Sequence, residues 1–377
     1  MRFMAGNRLK ILMTTDTLGG VWSYVCQLCK ALALYDVEIH LAALGRWPTR
    51  DQERTISKIP NTILYKSDFK LEWMQDPWRD VEKSEKWLTA IYQTVQPHII
   101  HLNNFTKFKA KITCPVITVY HSCVESWFRA VKGENPPQEF KSYLKHKKIA
   151  LKQANIAIFP SNSFRKEILE QIELNVETQT IYNGCDLHFS SRLEKEDMIL
   201  CSGRIWDEGK NLHLLCHIAP LLPWPVYVAG ENVHPNTGKP VEIKNVFFLG
   251  NLSKTSLETW MKKASIYVST SLYEPFGLGV LEAAKCECAL VLSHIDTMQE
   301  IWQDNAVFFD PLDAEDLLQI VMLLINNTNF RQDLAEKASK KADFYSAHSM
   351  ANNYFNLYQE ILESKHSTLK QPSIVRL

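Results

Sequence analysis

The sequence predicts an α/β protein of two doubly wound, Rossmann-like parallel sheets facing each other across a cleft. Three observations carry this. Short runs rich in Ile, Val and Tyr alternate with helical patterns along almost the whole chain, the pattern of parallel strands joined by crossover helices. The alternation breaks once, in the polar stretch CDLHFSSRLEKED (185–197), and then restarts. A length of 377 residues with 46% apolar residues suits two domains, each with a sizeable core.

In the first half, strands are expected at KILMTTD (10–16), VEIHLAAL (37–44), TILYKS (62–67), HIIHLN (98–103), VITVYHS (116–122), IAIFPS (156–161) and TIYNG (180–184). Helical spacing falls between most of them, near 20–34, 81–96, 137–153 and 162–173. After the connector the strands resume at MILCSGR, PVYVAGE, VFFLGN, ASIYVSTS, ALVLSH and AVFFDP, again with helices between. The last 60 or so residues read as helices: DAEDLLQIVMLLINN, FRQDLAEKASKKADF and SMANNYFNLYQEILES. The polar end KHSTLKQPSIVRL (365–377) is expected to fray. The domain reading is 1–186 for the first unit and 197–345 for the second.

Charge and composition exclude several classes. Lys plus Arg equals Asp plus Glu, 42 each, so no overall field draws the protein to nucleic acid or an anionic surface. No run approaches the roughly 18–20 apolar residues of a spanning helix, and the N-terminus shows no secretory pattern. The expectation is a cytoplasmic protein, with peripheral membrane contact left open. The nine cysteines are scattered. Cys26 and Cys29 form a C-x-x-C inside an apolar helical run without a second ligand pair, so they read as buried small residues, as do Cys286 and Cys288.

Ligands of doubly wound sheets lie beyond the carboxyl ends of the strands, so the loops there hold the candidate chemistry. The first strand ends in DTLGG, where Gly19 and Gly20 open a helix and expose backbone N–H groups; a plain tight turn is the alternative. It is not a G-x-G-x-x-G. MILCSGRIWDEGKN places Arg204 and Lys210 in one strand-to-helix loop. Two cations beside a helix N-terminus oppose the roughly half positive charge already there, a conflict that a bound anion resolves.

In YEPFGLGVLEAAK, Pro275 keeps Glu274 extended just past a strand, while Gly277 and Gly279 open a helix that carries Glu282 one turn in. Two carboxylates around a backbone anion cradle suit a ligand with hydroxyls on both sides of its phosphates, the shape of a sugar nucleotide. No Asp-x-Asp, H-E-x-x-H or Walker loop is present, so a diphosphate would be neutralised by Arg204, Lys210 and helix N-termini.

The chain resembles the retaining glycosyltransferases of family 4, which have the two-domain GT-B fold. The resemblance rests on DTLGGVWSY (16–24), PHIIHLNN (97–104), ITVYHS (117–122), FPSNSF (159–164), IYNGCD (181–186), SGRIWDEGKN (202–211), YEPFGLGVLEAA (273–284) and FFDPLDAEDL (308–317), in family order. It implies a final helix, 346–377, crossing back onto the first domain. It also implies roles for named residues. Arg204 and Lys210 bind the donor diphosphate and stabilise the leaving group, and Glu274 bonds hydroxyls of the transferred sugar. The segment Phe276, Gly277, Leu278, Gly279 supplies backbone N–H groups, and Glu282 holds the ribose. His121 lies beside the anomeric centre, with Gly19 and Gly20 under the phosphates. Gly230, Asn251 and Leu252 lie near the base. The implied reaction retains anomeric configuration by front-face transfer, without metal or other cofactor.

Two departures from the family stand out: SHIDTMQEIW lacks the usual Gly-Gly-x-x-Glu turn although Glu300 is present, and Ser122-Cys123 follow the histidine where Asp is common. On the acceptor side, Trp73, Trp78, Trp127 and Glu125 form a candidate sugar-stacking platform, with core or loop-stapling tryptophans as the alternative. The basic segment KSYLKHKKIALK (141–152), with Lys145, Lys147 and Lys148, is a candidate contact to anionic lipid, with a solvated face as the alternative. The expected partners are a nucleotide sugar, UDP-glucose first and a GDP-hexose second, and a glycan or lipid-linked glycan acceptor. A sugar-nucleotide epimerase of the same fold and a catalytically silent nucleotide-sugar binder are the rival readings.

Overall fold

The computed structural model describes residues 8–187 and 193–368. The first half holds β1 (Leu9–Asp16), β2 (Val37–Leu44), β3 (Thr62–Lys66), β4 (Ile99–Leu102), β5 (Val116–Val119), β6 (Ile156–Phe159) and β7 (Glu177–Thr180). They form one parallel sheet in the order β3-β2-β1-β4-β5-β6-β7. The second half holds β8 (Glu196–Ser202), β9 (Val226–Ala229), β10 (Phe247–Gly250), β11 (Ala264–Ser269), β12 (Ala289–Ser293) and β13 (Val307–Phe309). These pair in parallel in the order β10-β9-β8-β11-β12-β13.

Helices cover both faces of each sheet, so the central strands are buried along their whole length and read as mostly apolar runs: IIHL, VITV, IAIF and ALVLS. Strand order reverses between β1 and β4 and again between β8 and β11. At such a switch point neighbouring loops turn away from each other and leave a crevice beyond the strand ends. DTLGG follows β1, the Arg204 loop follows β8 and the Glu274 loop follows β11.

The last helix, Ala347–Thr368, returns to the first half. Met350, Ala351, Tyr354, Leu357 and Tyr358 pack into the core of β1, β2 and the helix Gly20–Leu32. The chain passes itself closely on the way: a Cβ added at Gly184 would lie 2.1 Å from the Ser346 carbonyl oxygen. Only glycine fits that crossing.

Three elements differ from the sequence reading. The seventh strand is Glu177–Thr180, not TIYNG, because an edge strand needs little apolar character while Ile181 leaves the sheet toward the crossing at Gly184. The helix Arg50–Ser57 was missed because it is polar, burying only Ile56, and rests on a Thr49 capping box. The segment read as an aromatic acceptor stretch is in part the helix Val124–Lys132. Residues 188–192 of the polar connector and 369–377 of the polar end lie outside the described residues. Among the described residues no helix is long and apolar enough to cross a membrane.

Candidate active site

A cleft of about 2140 Å³ lies between the carboxyl ends of the two sheets. It is lined by every residue to which the sequence gives a catalytic or donor-binding role: His121, Arg204, Lys210 and Glu274; Gly19, Gly20 and Gly230; Asn251, Leu252, and Phe276 to Gly279; and Glu282. The structure brings them into one place. What each does there is a separate matter.

Among the helices that start at this cleft are Gly20–Leu32 and Leu278–Lys285. Neither has a side-chain cap nor an acidic residue in its first turn. The helices starting at Asn162 and at Lys254, the second of them also at the cleft, are by contrast capped by Ser161 and Ser253. The residues before the two uncapped ends, Gly19 (φ +85°) and Gly277 (φ +89°), occupy the left-handed region that favours glycine. The result is two helix starts at one cleft whose first N–H groups no side chain among the described residues caps, an arrangement suited to an anion.

The cations answer to protein carboxylates as well as to any ligand. Arg204 donates from Nη2 to Asp207 Oδ2 at 2.8 Å, and Lys210 pairs with Glu274 Oε2. The electrostatic conflict read from the sequence is therefore resolved in part internally: Asp207 is the acid that a helix start ordinarily carries, and it caps the short turn Glu208–Lys210. Arg204 keeps 39% of its side chain exposed, so part of its guanidinium faces the cleft.

Glu274 is held twice, by Lys210 and by the Gly277 N–H at 3.1 Å. Its loop is also fastened to the first half. Ser161 Oγ donates to the Pro275 carbonyl at 2.7 Å, and the buried Tyr273 hydroxyl accepts from the Cys123 N–H at 2.9 Å. Glu282 lies 3.7 Å from Lys254, and burial pushes its carboxyl up while Lys254 opposes the shift. Gly230 cannot be replaced without backbone movement, since its Cβ would stand 1.8 Å from the Gly203 carbonyl oxygen.

His121 follows β5 with its ring half-buried against Tyr24, centroids 4.5 Å apart. Asn103 donates its amide N–H to the Thr14 carbonyl at 2.7 Å, which leaves its Oδ1 to accept from His121 Nε2 at 2.8 Å. That fixes the neutral tautomer with a bare Nδ1. Burial, with His101 nearby, pushes the imidazole down to about 3, so the ring is uncharged near neutral pH.

Four residues that sequence reasoning left without a role join the site. Asn103 orients His121. Lys254 faces Glu282, and Asp207 holds Arg204. Asp16 accepts the Leu18 N–H at 2.9 Å, and burial pushes its carboxyl up to about 7 against the pull of that bond and of Arg204. Asp16 and Asp207 sit inside the stretches DTLGG and WDEGK, so their proximity to the glycines and cations was the available signal. Asn103 sits inside PHIIHLNN, one of the stretches that carry the resemblance, and nothing in the sequence marks Lys254.

On the acceptor side Trp73, Trp78 and Trp127 line the cleft, and Glu125 does not. Glu125 instead pairs with Lys147, which is 3% exposed beneath Phe105, Tyr120 and Tyr143. This corrects two readings: Glu125 is a partly buried structural partner, and Lys147 points into the core and not outward with Lys145 and Lys148. Glu300, in the divergent SHIDTMQEIW stretch, accepts from the Asn162 and Ser163 N–H groups and from the Tyr182 hydroxyl, tying the second half to a helix start of the first.

Comparison with known proteins places this geometry. Residues 18–189 match the family described as Glycosyltransferase Family 4, and residues 186–341 match Glycosyl transferases group 1. The serotype-specific mannosyltransferase WbdA of Escherichia coli is 23% identical over 188 residues, which is 46% of this chain and 23% of that protein's own length. The chain thus spans about a quarter of that relative. Among solved structures, a sucrose-phosphate synthase from Thermosynechococcus elongatus superposes with a TM-score of 0.78 at 17% identity, covering 95% of this chain and all of that one. Anabaena HepE in complex with UDP and glucose gives 0.69 at 15% identity, covering 94% of this chain and all of that one. The two family matches together run from residue 18 to residue 341, nearly the whole of both sheets, and the chain belongs to the family 4 type of glycosyltransferases with the GT-B fold.

Proposed function

We propose that the protein transfers a hexosyl group, glucose in the first instance, from UDP-glucose to a glycan or lipid-linked glycan acceptor, with retention at the anomeric carbon and without a metal ion. The observation that carries this is the convergence, on one cleft, of two uncapped helix starts and two cations with the carboxylates of Glu274 and Glu282. Charge-assisted bonds and oriented N–H groups can neutralise a diphosphate, and carboxylates on either side can accept from sugar hydroxyls.

In this reading the acceptor oxygen attacks the anomeric carbon on the face from which the diphosphate leaves. The new glycosidic C–O bond forms as the C–O bond to phosphate breaks, and the acceptor proton passes to a leaving phosphate oxygen. Arg204, Lys210 and the N–H groups of Gly20 and Leu278 to Gly279 take up the developing negative charge. Glu274 reads the transferred sugar, Glu282 the ribose, and neutral His121 orients the sugar by hydrogen bonding without delivering a proton. The base lies by Gly230, Asn251 and Leu252.

HepE holds UDP and glucose, which supports the first donor; the mannosyltransferase relatives favour a GDP-hexose, with mannose the hexose to test, as the second. The deciding experiment is a thermal-shift screen of nucleotide sugars in EDTA, followed by product analysis with donor alone. Stabilisation by UDP-glucose with slow release of UDP supports the proposal, and stabilisation by a GDP-sugar moves it to the second donor. Isomerised donor without acceptor would establish an epimerase instead. A response only to NAD, or only with added Mg²⁺, overturns the reading.

A further inference from the structure

Arg204 reaches the cleft through a buried junction that the first half completes. Asp207, 7% exposed, accepts three bonds: from Arg204 Nη2 at 2.8 Å on Oδ2, and from Trp127 Nε1 at 2.9 Å and the Gly209 N–H at 3.0 Å on Oδ1. Trp127 belongs to the helix Val124–Lys132 of the first half, so one carboxylate links an indole there to a cation of the second half. The junction leaves no spare room. A Cβ at Gly209 would lie 2.8 Å from Trp127 Nε1 and 3.1 Å from Asp207 Oδ1. Lys132 of the same helix pairs with Glu208 along the same seam. Burial alone would raise the Asp207 carboxyl, yet Arg204, Lys210, Trp127 and Gly209 together hold it below the usual carboxylate range, so it stays ionised as a partner for arginine.

Arg204 is confined on its other sides too. Its Cδ stands 3.4 Å from where a Gly19 Cβ would be, and its guanidinium lies 5.5 Å from the Trp206 ring centre. A guanidinium has five N–H donors and Asp207 engages one, which leaves a fork directed by the remaining geometry. A free arginine would have to lose its rotamer freedom on meeting a phosphate; one braced by Asp207 has lost it already.

We propose that Asp207 and Trp127 are positioning residues: Trp127 fixes Asp207, Asp207 fixes the Arg204 guanidinium, and the anion-binding cation is set only where the two halves are docked. The proposal rests on the donor reading above, and deepens it by making the first half a determinant of diphosphate affinity in the second.

The test is calorimetric titration of the full chain with UDP and UMP, and with GDP and GMP in parallel, for the parent protein, Arg204→Ala, Asp207→Asn and Trp127→Phe, with melting temperatures recorded alongside. Arg204→Ala is expected to weaken the diphosphate far more than the monophosphate. Asp207→Asn should reproduce about a tenfold part of that selective loss, the scale of one charge-assisted bond, and Trp127→Phe a smaller loss of the same kind. The double variant Arg204→Ala/Asp207→Asn should bind little worse than Arg204→Ala, because the two act through one group. Should Asp207→Asn fail to fold, Trp127→Phe, which removes a single donor, carries the test. If both variants bind the diphosphate like the parent while Arg204→Ala does not, the positioning role is overturned and the donor reading stands. Equal losses for diphosphate and monophosphate with a lowered melting temperature also overturn it, as effects of a weakened fold. If Arg204→Ala leaves all four affinities unchanged, the donor reading falls, and this inference with it.

Discussion

At the scale of single residues, Glu274 is held on both oxygens, by Lys210 on one and the Gly277 N–H on the other. Glu274→Gln removes the charge and keeps the shape. Turnover should fall about a hundredfold while nucleotide affinity stays within a few-fold, because Lys210 is then free for the phosphates; steady-state kinetics beside nucleotide titration checks this. Loss of nucleotide affinity as well would place Glu274 at the diphosphate and not at the sugar. Asp16 offers a test by pH. Burial raises its carboxyl to about 7, so the folded state favours the protonated form. Its contribution to stability is complete below about pH 4 and is lost as pH rises through about 7. Melting temperature should fall more steeply over that window in the parent than in Asp16→Asn; identical slopes would show that Asp16 does not titrate there. The residue types of the site were legible because glycine, proline and charge are informative in a strand-to-helix loop. The partners of those residues were not, since which side chains Asp207, Asn103 and Lys254 meet is decided only when the loops are folded against each other.

Among elements, the last helix shows what packing adds to pattern. Its apolar residues repeat at helical spacing, but its place on the helix Gly20–Leu32 depends on the close crossing at Gly184 and on specific contacts. The buried Tyr358 hydroxyl meets His101 Nδ1 at 2.7 Å, whereas the buried Tyr120 hydroxyl after β5 has no hydrogen-bond partner among the described residues. Tyr358→Phe should therefore cost about 1–3 kcal/mol in chemical denaturation, by leaving a buried imidazole nitrogen unpaired. Tyr120→Phe should be neutral or stabilising, because it removes an unsatisfied hydroxyl from a site already lined by Phe105 and Phe159. Equal losses would mean that the Tyr120 hydroxyl is bonded as the Tyr358 hydroxyl is, and no loss in either would mean that both act through their rings alone. Strands were legible where both faces are buried and the run is continuously apolar. The polar edge strand Glu177–Thr180 and the polar helix Arg50–Ser57 were not, because each is stabilised by its neighbours and caps more than by its own apolar content.

For the whole molecule, a dispersed set of bonds ties the two halves together. At the mouth of the cleft Arg46 forms two parallel bonds to Glu231, both 3.0 Å; deeper in lie Trp127 to Asp207, Cys123 to Tyr273, and Ser161 to Pro275. Exposed pairs contribute only about 0.2–1 kcal/mol each, so the outer latch is weak and a charge reversal should be enough to undo it. Glu231→Arg sets like charges against Arg46 and is expected to widen the molecule in small-angle scattering and to raise the KM for donor several-fold, with both effects reversed by adding Arg46→Glu. Unchanged scattering would show that the inner contacts hold the halves without it. The sequence by itself determined the class of fold, the break between two alternating series and the loops that carry glycines, cations and carboxylates, because hydrophobic period and backbone-specific residues are local properties. Only the tertiary structure decided that the Arg204 and Glu274 loops are braced by the first half. Those bonds join residues 80, 150 and 114 positions apart, a distance over which no local pattern constrains which side chains meet.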